Sequence, residues 1–133
     1  MESWDGWPFA RLYMLLVALA FVVVGLQVLL FHWRGGFRRL TMYGPVLLAP
    51  VLVVAGVVGA LQRDGLLGWA VLAVFALGIV DGLVGVAEHL RAIARRVGGF
   101  SLTNLMSGPP PLLPVAFMAL ALTGALALVW EAL

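Results

Sequence analysis

The sequence predicts an all-α fold, an integral membrane four-helix bundle built as two parallel-repeat helical hairpins. Three observations predict it. Hydrophobic residues make up 64% of the 133 and charged residues only 11%, too few polar side chains to cover a water-soluble domain. Four apolar runs each approach the roughly 20 residues that cross a bilayer. The arginine-bearing segments between them also repeat. His32-x-Arg34-x-x-x-Arg38-Arg39 returns as His89-x-Arg91-x-x-x-Arg95-Arg96, and Gly44-Pro45-x-x-x-x-Pro50-Val51 returns as Gly108-Pro109-x-x-x-x-Pro114-Val115. Residues 9–61 and 66–133 then form two copies within a single transmembrane domain covering 1–133, related by a pseudo-two-fold axis along the membrane normal.

The first run, Phe9 to Trp33, follows the acidic stretch Met1-Glu2-Ser3-Trp4-Asp5. A secretory signal would open on basic residues and carry a shorter apolar core, so this run reads as a retained span. The second, Pro45 to Leu61, is the shortest, and it opens on a proline whose missing N–H costs little at a helix entrance. Gln62-Arg63-Asp64-Gly65 follows. Asp-Gly is a turn dipeptide, so spans two and three are expected to form a tight antiparallel hairpin.

Leu66 to Leu90 is the third run, and Leu112 to Val129, entered through Pro109, Pro110 and Pro111, is the fourth. Pro50 and Pro114 predict bends at equivalent heights in spans two and four. Between its two motifs the second copy holds seven more residues than the first, around Val97-Gly98-Gly99-Phe100-Ser101. A longer loop there suits a docking surface, a lid or a plain linker.

Six of the eight arginines flank the two loops, which places both loops in the cytoplasm and both termini outside, in a bacterial inner membrane. Glu2, Asp5 and Glu131 fall on the outer side and agree. Trp4, Trp7, Trp69 and Trp130 then form an outer aromatic belt, and Trp33 with Tyr43 an inner one. The formal charge of +2 reflects this topology rather than nucleic-acid binding.

The chain has no cysteine, which excludes disulfides, thiolate metal sites, iron–sulfur clusters and covalently attached haem. No phosphate-binding glycine loop with a lysine, no Gly-x-Ser-x-Gly elbow and no His-Glu-x-x-His occurs. Histidine, carboxylate and arginine remain. Gly78, Gly82, Gly85 and His89 share one face of the third span, and Phe21, Gly25, Val28 and His32 the matching face of the first. Such a face makes either a close helix contact or a groove for a flat macrocycle. In the second case His32 and His89 ligate the iron of a haem b against Gly25, Gly82 and Gly85. Arg34 and Arg91, joined by Arg38 and Arg95, then hold its propionates. A bacteriochlorophyll on a single histidine is a variant of this reading. A plain interfacial histidine at a helix C-terminus is the ordinary alternative.

Asp81 and Glu88, seven apart, lie beside this stripe, and only the second copy carries them. Asp81 stands eight residues, about 12 Å along the helix, deeper than His89. An ionised carboxylate there is costly, so it should be protonated, hydrogen-bonded or paired with a cation. Three roles compete: anchoring the bundle through Arg34, His32 or Gln27, a proton path with His89, or contact with a partner. Spans two and four carry no ionisable residue before Glu131, which argues against a carboxylate-bridged di-iron site.

The functional expectation is a non-catalytic subunit that scaffolds or anchors a larger membrane complex. Arg38, Arg39, Arg95 and Arg96 would dock a cytoplasmic partner, and the lipid bilayer, other membrane subunits or further copies would surround the bundle. The alternatives are a redox subunit binding haem b through His32 and His89 for electron transfer with a quinone or partner, and conduction of protons or a small ion past Asp81.

Overall fold

The computed structural model describes residues 1–130; Glu131 lies outside the described residues. Five α-helices follow in order: α1 Phe9–Gly35, α2 Tyr43–Leu61, α3 Gly65–Ala92, α4 Leu102–Ser107 and α5 Leu112–Val129. Among the described residues there is no strand. α1, α2, α3 and α5 lie in four segments long and apolar enough to cross a membrane, the architecture of an integral membrane protein. Three residues join α2 to α3, the tight connection that Asp64-Gly65 implies.

Two elements outrun the apolar runs that define them. A 3-10 turn, Leu40–Met42, leads into α2 and lengthens the second span to 22 residues, so it is no longer short. α3 continues through a π-turn, Ile93–Val97, to 33 residues. That is about 50 Å of helix against about 30 Å of hydrocarbon, so the arginine-bearing end of α3 projects beyond the apolar layer.

α1 ends in a Schellman motif. Gly36 takes the left-handed conformation (φ 74°), its N–H reaches the Trp33 carbonyl at 2.9 Å, and the Phe37 N–H reaches that of His32 at 3.2 Å. Two carbonyls that a helix end leaves free are satisfied in this way.

The prolines act differently in the two halves. Pro50 lies inside α2, whereas Pro114 is the third residue of α5 and sits in its first turn, where its missing N–H breaks no helical bond. The expectation of matching bends is therefore corrected. Pro109, Pro110 and Pro111 disfavour helical backbone in the residues before them, which delays the start of α5 and removes Pro114 from the helix interior.

α1 packs on α2 and α3 on α5, while α1 with α5 and α2 with α3 close a ring of four. Met14, Phe21, Leu52, Phe75, Phe117 and Leu128 fill its centre, fully buried or nearly so. Phe21 and Phe117 meet edge to face at 5.2 Å between ring centroids, the arrangement the ring quadrupole favours. Glycines bring the backbones together. A side chain at Gly25 would strike Ala49, one at Gly56 would strike Ala18, and one at Gly82 would strike the Met118 backbone.

At the end away from the arginine loops, the amino-terminal segment folds across the bundle. The Trp4 indole donates to the Gly59 carbonyl at 2.8 Å, and the Arg11 guanidinium donates to that of Ala60 at 2.7 Å. Both acceptors are unsatisfied carbonyls of the last turn of α2. Arg63, only 4% exposed, stacks on the Trp4 ring and donates to the carbonyls of Glu2 and Leu128. Trp4 thus turns inward as part of a plug, while Trp7, Trp69 and Trp130 stay exposed as belt residues do.

Candidate functional site

A cavity of about 600 Å³ opens at the arginine-rich end. Both histidines line it, His32 from α1 and His89 from α3, three residues before each helix stops. Asp81, Gly82, Gly85 and Glu88 form the α3 wall, Val28 and Phe117 belong to the apolar floor, and Arg34, Arg39 and Arg96 add guanidinium groups.

Several residues read from the sequence stand apart from it. Gly25 does not line the cavity; it serves the α1–α2 contact with Ala49. Gly82 and Gly85 do both jobs, lining the cavity while pressing against Met118 and Pro114 of α5. Arg91 is turned to Glu88, at 2.9 Å, and neither it nor Arg38 or Arg95 belongs to the lining. Arg39 does, and it also pairs with Glu88, tying the α1–α2 loop to α3. The anchoring carboxylate is therefore Glu88, and its partners are Arg39 and Arg91 rather than Arg34, His32 or Gln27.

Each histidine is held in its own way. His89 Nδ1 lies 2.8 Å from the Pro110 carbonyl. A carbonyl only accepts, so Nδ1 carries the proton and the neutral ring keeps its lone pair on Nε2, the state in which an imidazole binds a metal. The rigid Pro109-Pro110-Pro111 run presents that carbonyl. His32 packs against Phe37, which stacks on Tyr43 at 4.7 Å, and its buried Nδ1 has no hydrogen-bond partner among the described residues.

Asp81 is not the isolated mid-membrane charge that helix depth implies. It faces the cavity, and its carboxylate lies against Gly44 in the first turn of α2. The buried Oδ2 has no hydrogen-bond partner among the described residues.

Pro110, Phe37 and Gly44 do work that sequence reasoning did not assign to them. The Gly-Pro repeat was the available signal for Gly44, but the two glycines of that repeat differ: Gly108 packs against the Asn104 carbonyl, Ile93 and Val97, where Gly44 meets the Asp81 carboxylate. Among the described residues no three His, Asp or Glu side chains converge to hold a bare metal ion. Comparison with protein-family models, curated proteins and solved structures finds no match for this chain.

Proposed function

We propose that this chain is a cofactor-carrying membrane subunit, with a haem b seated between His32 and His89 for electron transfer with a quinone or a protein partner. One observation carries the reading: both histidines of the repeated motif open on a single cavity whose volume suits a cofactor. The lining residues fit the group. Gly82 and Gly85 line the cavity where α3 meets Met118 and Pro114 of α5, Arg34 offers a guanidinium group for a propionate, and His89 keeps a ligating nitrogen free. Bound there, a haem would take up and release one electron. The positive-inside rule puts this end in the cytoplasm and both termini outside. The paired packing of α1 with α2 and α3 with α5 supports the duplicated origin.

The test is an oxidised and dithionite-reduced visible spectrum of protein purified in mild detergent from its native membrane. Sharp α and β bands that disappear in both His32→Ala and His89→Ala are expected. A colourless, iron-free preparation would overturn the assignment.

A second reading is a cofactor-free scaffold. Exposed Arg38 and Arg95, which have no ionic partner among the described residues, favour it. Charge reversal at Arg95 should then release a co-purifying cytoplasmic protein. Conduction past Asp81 has less support, because Phe21, Leu52 and Phe75 pack the bundle beyond the Phe117 floor of the cavity and the Trp4–Arg63 plug covers its far end.

A further inference from the structure

α4 occupies the extra length of the second arginine loop, and its sequence is divided by side. On a helix of 3.6 residues per turn, Leu102, Leu105 and Met106 fall within one arc, and Thr103, Asn104 and Ser107 within another. Leu102 is 75% exposed, Met106 80% and the preceding Phe100 65%, so an apolar strip faces outward and no described residue covers it.

The fold holds this strip in a defined place. Gly98 and Gly99 both take positive φ, 104° and 100°, a conformation that side chains resist, and the chain turns back on α3. The Ser101 hydroxyl caps α4 by accepting from the Asn104 N–H at 3.1 Å, and the Asn104 amide donates to the Gly99 carbonyl at 2.7 Å. Gly108 then packs on Ile93 and Val97. α5 is 18 residues long, about 27 Å of helix and close to the thickness of the hydrocarbon, and only residues 108–111 separate α4 from it. Arg95 and Arg96, seven and six residues before α4, are exposed.

We propose that α4 is a lipid-seated lid. Its apolar strip rests in the leaflet at the arginine-rich end, and Arg95 and Arg96 pair with anionic phospholipid headgroups. Charge complementarity and continuity with the lipid-facing surface of α5, which begins at the exposed Leu112, select lipid over a protein as the cover. Met106, Ser107 and Gly108 also line the cavity, so the leaflet that seats α4 positions one wall of the site and opens it towards amphiphilic ligands. This inference stands whether or not the cavity binds haem.

The cysteine-free chain permits a direct test with the full-length protein. Leu102→Cys, Thr103→Cys and Met106→Cys each carry a single nitroxide in nanodiscs of phosphatidylcholine with or without phosphatidylglycerol. Probes at 102 and 106 should collide with oxygen and be several-fold less accessible to a water-soluble nickel chelate than the probe at 103. Phosphatidylglycerol should deepen the 106 probe, and Arg95→Gln with Arg96→Gln should abolish that deepening. Equal chelate access at all three positions would overturn the proposal and make the strip a protein-docking surface. Equal depth in both lipids would overturn the pairing with anionic headgroups. All three labelled positions are exposed, so labelling leaves the bundle core intact.

Discussion

Asp81 and Gly44 are in contact: the carboxylate of α3 lies where a side chain on α2 would stand. The pairing accounts for an acidic residue inside an apolar span. Glycine leaves room for the carboxylate against α2, and the cavity, lined also by His32, Glu88 and His89, lies on its other side. Exchange at one position should be felt at the other.

Gly44→Ala should destabilise the bundle by about 1 kcal/mol through this overlap, although alanine ordinarily favours a helix. In an Asp81→Ala background the same change should become neutral or stabilising. Unfolding midpoints of the four proteins in mixed micelles measure the coupling; additive effects would rule the contact out.

The outer plug should be energetically heavier than a belt residue. Trp4→Phe keeps the ring beneath Arg63 but removes the donor to Gly59, an expected loss of about 1 kcal/mol. Arg63→Leu strips the carbonyls of Glu2 and Leu128 of a buried donor and should cost about 2–4 kcal/mol. Trp69→Phe, at an exposed site, is the control, and an equal shift there would remove the distinction.

Glu88 joins Arg39 and Arg91 at the solvent-accessible rim, so Glu88→Gln should lower stability by no more than about 1 kcal/mol. Screening predicts that the difference shrinks as salt rises from low to molar concentration. A deficit that persists in molar salt would mean that the carboxylate is needed for shape rather than charge.

Gly82→Ala should separate α3 from α5, because the obstacle is the Met118 backbone, which has no rotamer to change. A loss of about 1–3 kcal/mol is expected, along with any bound chromophore, since Gly82 also lines the cavity. Thermal melts and the visible spectrum read the two effects separately.

Much of the architecture was legible in composition and punctuation. Apolar runs of membrane-crossing length marked α1, α2, α3 and α5, and Asp64-Gly65 marked the turn; the proline triplet marked a helix entrance, but not that Pro114 would fall in the first turn of α5. The histidine, glycine and acidic positions were legible as a set through their shared helical faces, since period alone puts Asp81, Gly82, Gly85, Glu88 and His89 near one another on α3. α4 was less so, because six residues are too few for periodicity to distinguish a helix from a loop.

What the sequence determined by itself was therefore local: where the chain turns apolar, where it breaks, and which side chains share a face. Tertiary structure decided partnership. Glu88 goes to Arg39 across the bundle, Asp81 to Gly44, His89 to a proline carbonyl and Arg63 to the Trp4 ring. Such pairings depend on how far each helix slides past its neighbours before glycine meets backbone. That register comes from close packing between helices, which no single stretch of the sequence encodes.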